Sequence, residues 1–233
     1  MSLTAQGLPG WKVTLGRIGK EQQPILIIDN FSPDPRIWFE LAARLSFTIR
    51  APYYPGIRAK VAREYLSVHI PPLAPLLSDV FGFKTGTKVT ESNYSLVTTP
   101  PSELLPAQVI PHFDGGGDNM VALLHYLCAP AHGGTAFYRH RSTGLETILD
   151  KQYEPVYRPA LLSDAERRGM PPQRYFRESD EIFERIYSCD AVFNRAIVYR
   201  GCQLHAIDIP DDFPFDPSPS RGRLTVNTFM TPK

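Results

Sequence analysis

Thr87-Lys-Val-Thr-Glu-Ser-Asn-Tyr-Ser-Leu-Val-Thr98 is where the character of the chain changes. β-Branched and aromatic residues crowd this stretch, and such side chains fit a pleated, half-buried surface. It reads as a strand, and similar runs follow at residues 107–114, 120–128, 134–139, 182–188, 195–199 and 222–231. Upstream the texture differs. Pro24-Ile-Leu-Ile-Ile-Asp-Asn30 reads as one buried strand, and Ser32-Pro-Asp-Pro35 then opens a helix with Trp38, Leu41, Ala42 and Leu45 on one face. A second helix is expected to start at Pro71-Pro72 and to carry Leu73, Leu76, Leu77 and Val80. Helices followed by a run of short strands predict a mainly β (α+β) architecture, a sandwich or barrel with helices against one face.

At 233 residues with 42% hydrophobic side chains, the chain can bury one sizeable core. Residues 1–233 therefore read as a single domain, with 1–90 as a supporting strand and helices. Residues 141–181 form an insertion too short and too polar to bury a core of its own. Within it, Ser163-Asp-Ala-Glu166 has the form of a capping box and predicts a short helix ending near Gly169. Lys+Arg 25 against Asp+Glu 24 gives a net charge of +1, which argues against nucleic acid or an anionic membrane surface as partner. Cys128, Cys189 and Cys202 are odd in number and lack C-x-x-C spacing, so no disulfide framework is expected. The opening Met-Ser-Leu-Thr-Ala-Gln-Gly lacks a charged and an apolar signal region, and no apolar run approaches a membrane span. The expectation is a cytoplasmic protein.

His112-Phe-Asp114 is the informative polar motif. On a strand, positions i and i+2 project from one face, so His112 and Asp114 can grip one metal ion, and Gly115-Gly-Gly117 lets the backbone turn sharply beside them. His205, after a strong β run, is the best candidate third ligand. Two histidines and a carboxylate on one side of iron leave open positions for oxygen chemistry. Three letters alone occur by chance, and a polar pair at a strand end is the plain alternative. His125 reads as structural, His132 and His140 as solvated loop residues, His69 as a strand-end polar, and Asp118 as a turn residue. Cys128 and Cys202 read as small buried hydrophobes.

Order and company add to the motif. His112-Phe-Asp114, Leu123-Leu-His-Tyr-Leu-Cys128, Gly133-Gly-Thr-Ala-Phe137, Ala196-Ile-Val-Tyr199, His205-Ala206 and Arg221-Gly-Arg-Leu-Thr-Val-Asn-Thr-Phe229 together resemble the Fe(II)/2-oxoglutarate-dependent dioxygenase superfamily, closest to its prolyl-4-hydroxylase-like branch. The resemblance implies a double-stranded β-helix (jelly roll) and an enzyme that hydroxylates a C–H bond while forming succinate and CO2. It assigns His112, Asp114 and His205 as iron ligands. It assigns Arg221, Thr225 and Tyr126 to the far carboxylate of 2-oxoglutarate, and strand parity puts Arg223 on the face of Arg221, so either arginine can serve. Fe(II) and 2-oxoglutarate are the implied cofactors, with ascorbate as reductant. The substrate is a small molecule or a protein side chain, and residues 141–181 either cover it as a lid or serve as a packing flap or dimerisation element. The competing reading is a cupin-like metal-binding module without turnover. The sequence fixes neither substrate identity nor oligomeric state.

Overall fold

The computed structural model describes residues 10–48, 51, 53–169 and 171–233; most of the opening segment, residues 1–9, lies outside them. Seven strands make one antiparallel sheet in the order β1 (Lys12–Ile18), β2 (Gln23–Asp29), β8 (Arg195–Arg200), β5 (Val121–Tyr126), β10 (Leu224–Pro232), β4 (Thr87–Val97) and β3 (Gly56–Lys60). Facing it is a three-stranded antiparallel sheet, β7 (Phe183–Asp190), β6 (Gly134–His140) and β9 (His205–Asp208). The central strand β5 shows why the fold is layered. All six of its residues are buried. Val121 and Leu123 point outward onto Leu73, Leu76, Leu77 and Phe81, whereas Ala122, Leu124 and Tyr126 point inward with Phe137 and Cys189. A strand covered on both faces has no polar side to show, so its apolar run is continuous.

The outer cover comes from α1 (Pro35–Ala43) and α2 (Arg63–Phe81). Asp34 caps α1 by accepting from the Arg36 amide. Trp38 and Ala42 form its buried face, while Leu41 and Leu45 are exposed, so the expected four-residue stripe is half realised. Helix α2 begins well before Pro71-Pro72 and carries Pro71, Pro72 and Pro75 inside it. An interior proline costs a helix about 3 kcal/mol. Burial of Tyr65, His69, Leu73, Leu76 and Leu77 along one face offsets that cost. His69 is thus a mid-helix residue rather than a strand-end polar. It stacks on Phe31 at 5.0 Å, and its Nε2 is buried with no partner among the described residues. His125 is structural, as expected: its Nδ1 lies 2.9 Å from the Tyr65 hydroxyl and its Nε2 lies 3.1 Å from Asn194 Oδ1.

Two further expectations need correction. Residues 107–114 are not a strand, because Pro111 interrupts the run. A 3-10 turn, Pro106–Gln108, leads instead to one isolated bridge at His112. In the insertion, Ser163 does not start a helix. A helical stretch is already under way, from Asp150–Gln152 through a π segment, Tyr153–Tyr157, into α3 (Arg158–Arg168), which Gly169 terminates. The insertion has no core of its own: Tyr157 and Phe176 pack with Tyr138, Phe183 and Leu204. Its helix is pinned through Asp164, which accepts from Ser142 Oγ at 2.5 Å and lies 3.3 Å from His140 Nε2. His140 is accordingly fully buried, not solvated. Among the described residues no helix is long and apolar enough to cross a membrane.

Burial pushes His69 down to about 4 and His125 down to about 3, from an ordinary 6.5. Between those values and 6.5 the unfolded chain takes up protons that the folded chain refuses. The contribution of these neutral rings is complete above pH 6.5 and falls with pH below it, by roughly 1.4 kcal/mol per pH unit for each histidine. Urea midpoints measured from pH 7.5 down to about 4.5 should therefore fall steadily, and His69→Gln should flatten that slope; a flat wild-type profile contradicts the burial argument.

Candidate metal centre

The site begins with a backbone contact. The His112 amide donates to the His205 carbonyl at 2.9 Å, and the His205 amide returns a bond to the His112 carbonyl at 2.8 Å. This pair fastens the segment before β5 to the first residue of β9. Asp114 is fixed by its own amide, which donates to the Gly201 carbonyl at 2.8 Å. A Cβ at Gly201 would stand 3.5 Å from Asp114 Cβ, in ordinary contact, and 2.5 Å from the movable end of Met120, Cε.

These anchors bring the three ligand-type side chains together. One ligand atom each from His112, Asp114 and His205 lies within 4.8 Å of the others. His112 Nε2 is 3.9 Å from Asp114 Oδ1, and His205 Nε2 is 3.5 Å from Asp114 Oδ2. His205 Nδ1 lies 2.8 Å from the Gln203 carbonyl, which holds the proton on Nδ1 and leaves the Nε2 lone pair free. Asp114 Oδ2 is buried without a hydrogen-bond partner among the described residues. The His112 side chain is 45% exposed at the cavity; desolvation, then the His205 ring, lower its pKa, which favours the neutral form that can ligate. Desolvation raises the Asp114 carboxyl, with His205 opposing. A divalent cation would satisfy the orphaned oxygen and both free nitrogens at once. The donor set of two imidazoles and one carboxylate, grouped on one side, suits an octahedral metal with open positions.

The triad opens into a cavity of about 510 Å³ between the two sheets. Here the two candidate arginines, Arg221 and Arg223, part company. Arg221 lies outside β10, in a turn, with its side chain 71% exposed and its Nε 2.6 Å from Asp216 Oδ2. Arg223 is only 1% exposed and lines the cavity. Its Nη2 donates to the Gly134 carbonyl at 2.8 Å, its guanidinium lies 5.6 Å from the centre of the Tyr126 ring, and its Nε has no partner among the described residues. Tyr126 and Thr225 are fully buried nearby but already engaged. The Tyr126 hydroxyl bonds Thr135 Oγ1 at 2.7 Å, and the Thr225 hydroxyl donates to Asn227 Oδ1 at 2.7 Å. Asp118 is an exposed turn residue.

Sequence reasoning missed several cavity groups. The Tyr54 hydroxyl and Ser95 Oγ are buried and unpartnered among the described residues, and burial raises the Tyr54 pKa while Arg223 and Arg58 pull it back. Strand pairing sets Arg58, Ser95, Thr225 and Tyr126 in one row across β3, β4, β10 and β5. That pairing was the missing signal, since Tyr54 and Arg58 sit in a part of the chain without motifs. The insertion supplies the opposite wall through Tyr153, Tyr157, Arg158 and Leu161, with the Tyr153 ring 5.7 Å from that of Phe113.

By its sequence the chain belongs to the DUF6445 family, described as a family of unknown function, whose model matches residues 9–230. No protein of curated function matches it. Among solved structures the chain is similar to HygX from Streptomyces hygroscopicus with nickel, 2-oxoglutarate and hygromycin B bound, at a TM-score of 0.51 and 12% identity over 94% of this chain and 88% of that one. The same enzyme with nickel and 2-oxoglutarate gives a TM-score of 0.51 and 13% identity, over 93% and 88% of the two chains. At such identity the likeness is one of fold.

Asp114→Ala removes the only carboxylate of the triad. Loss of mere supporting contacts weakens metal sites roughly 10–100-fold, so this loss should exceed about 100-fold. Titration of Co(II), followed by its visible absorption, should show one site in the wild type, its loss in Asp114→Ala and in His205→Ala, and no change in Asp118→Ala.

Proposed function

We propose that this protein is an Fe(II)- and 2-oxoglutarate-dependent oxygenase with a double-stranded β-helix core, acting on a C–H bond of a small molecule. The observation that carries the reading is the convergence, in one cavity, of the His112–Asp114–His205 cluster and a fully buried arginine whose Nε edge is free. A buried guanidinium without a carboxylate of its own is costly unless a ligand supplies one. The branch-level likeness to prolyl-4-hydroxylase-like enzymes rests on motif order alone, and the arginine favoured here, Arg223, stands two positions past the one that order selects. The cavity volume of 510 Å³ falls in the small-molecule range of roughly 300–1,000 Å³, which favours a metabolite over a protein side chain.

In this reading His112, Asp114 and His205 would hold the iron. Bound Fe(II) would supply oxygen activation coupled to oxidative decarboxylation of 2-oxoglutarate to succinate and CO2. The chain's own residues do the rest. Gln203 keeps His205 in the tautomer that presents Nε2. Arg223 Nε–H and the Tyr54 hydroxyl belong to residues that line the cavity and are the unpartnered groups offered to the far carboxylate, and guanidinium remains charged at any relevant pH. Thr225 and Tyr126 act one step back, holding Asn227 and Thr135. Leu124, Ile207 and Phe229 line the cavity with apolar surface that limits water.

With Fe(II), ascorbate and 2-oxoglutarate in air, the wild type should form succinate slowly even without substrate. Replacing Arg223 by Ala should raise the KM for 2-oxoglutarate by an amount equivalent to roughly 2–5 kcal/mol, the cost of unpairing a desolvated charge. Arg221→Ala should change it little. The reverse ranking returns the anchor to Arg221. Metal and 2-oxoglutarate binding without any succinate identifies a binding module instead.

A further inference from the structure

Beside the metal triad the same cavity holds an ion pair that is only half made. Arg58 on β3 reaches along β4 to Glu91, with Nη1 3.4 Å from Oε1. Charge-assisted bonds of this kind normally close to about 2.7–2.9 Å and, with arginine, are often bidentate. The Asn93 amide nitrogen donates to the same oxygen, Oε1, at 2.5 Å. Glu91 thus keeps Oε2 clear of both contacts. Arg58 keeps its Nε buried and without a partner among the described residues, although its side chain is only 11% exposed. The guanidinium carbon lies over the Tyr54 ring, 4.3 Å from its centre. Both residues line the cavity, and both act on Asp114, Arg58 lowering its carboxyl pKa and Glu91 raising it.

We propose that Arg58 and Glu91 form the substrate subsite, and that the substrate is a free α-amino acid, its carboxylate on Arg58 and its ammonium on Glu91. The assignment rests on the oxygenase reading for the word substrate; the binding site itself stands on the pair. A simple anion would meet the charge of Glu91, and a simple amine would meet that of Arg58. A neutral polyol would bond both but bring no counter-charge to Arg58, which is 11% exposed and paired at 3.4 Å with a Glu91 that is 42% exposed. A carboxylate and an ammonium on one carbon answer both charges within the short span separating Nη1 from Oε1. Of the remaining wall, Ile110, Phe113, Tyr153, Tyr157 and Leu161 are apolar or aromatic, with Arg158 beside them, and would receive the amino-acid side chain. The α-carbon end is thereby fixed near the metal ligands and the side chain projects along the insertion.

Calorimetry on full-length protein loaded with Ni(II) and 2-oxoglutarate tests this, with the twenty common L-α-amino acids as probes. At least one should bind, and its deaminated acid and decarboxylated amine should each bind at least tenfold more weakly. Arg58→Gln should weaken the amino acid at least tenfold. The isosteric Glu91→Gln should weaken the amino acid as much but leave the deaminated acid unchanged or tighter, a split that general damage to the fold does not produce. The proposal is overturned if no amino acid binds, if Glu91→Gln leaves the amino acid's affinity intact, or if Arg58→Gln weakens 2-oxoglutarate more than the amino acid. The two readings separate cleanly. Amino-acid binding by a protein that never forms succinate removes the oxygenase and keeps the subsite, whereas succinate formation without amino-acid binding removes only the subsite.

Discussion

The reciprocal backbone bridge between His112 and His205 is the constraint on which the site depends. Each residue gives its amide to the other's carbonyl, so two candidate ligands far apart in the chain become a directly opposed pair. Their rings stand 4.4 Å apart, centre to centre. His205 in turn pairs with Phe137 of β6, and Asp114 bonds Gly201 just past the end of β8. The centre is thereby tied to the small sheet through β9 and to the large sheet through β8. Three side chains meet without any one of them needing a strained backbone, since none of the three has a positive φ. His112 and Asp114 lie in irregular backbone, and their bonds to β9 and to the residue after β8 fix the spacing that a metal site requires.

What could be read from sequence follows the physics of each element. β2, β4 and β8 carry several β-branched residues and β5 is a continuous buried run, and they announce themselves. β1, β3 and β9 do not. β1 lies at a sheet edge and carries Gly16, β3 is Gly-Ile-Arg-Ala-Lys at the opposite edge, and β9 spans only His205–Asp208. Helix α2 was half hidden because proline punctuation outweighs the Tyr65-to-His69 spacing in any local reading. Tertiary burial decides otherwise. That His112, Asp114 and His205 come together was legible because the order of motifs along the chain is itself information.

The arginine shows where that legibility stops. Parity places residues 221, 223 and 225 on one face only if the strand already exists at 221. Here β10 begins at Leu224. A turn closed by the Arg221 and Gly222 amides on the Ser218 carbonyl swings Arg221 outward to Asp216. Gly222 permits the turn, since a Cβ there would stand 2.3 Å from the Asp216 carbonyl oxygen. An alternation argument counts residues correctly and still fails when the strand's first residue is unknown. The surviving arginine is recognised by burial and by an unmet donor, neither of which a sequence displays.

Charge balance inside the cavity links these observations. Arg223 sits among Tyr54, Thr135 and Tyr199, whereas Arg58 is countered, incompletely, by Glu91. The two guanidiniums therefore differ in kind. Arg223 has no carboxylate partner among the described residues and, in the proposed reading, would suit a dianion held between it and a cation; Arg58 has a carboxylate neighbour and would suit a partner that is neutral overall. A cluster with one carboxylate and a divalent ion carries a net positive charge, so a dianion bridging it to Arg223 leaves the inner cavity close to neutral. A second anion placed beside it would be repelled without compensation, and at low effective dielectric such repulsion is not screened as it is in water. The arrangement consequently selects, at the outer position, for a molecule that brings its own positive charge along with its negative one.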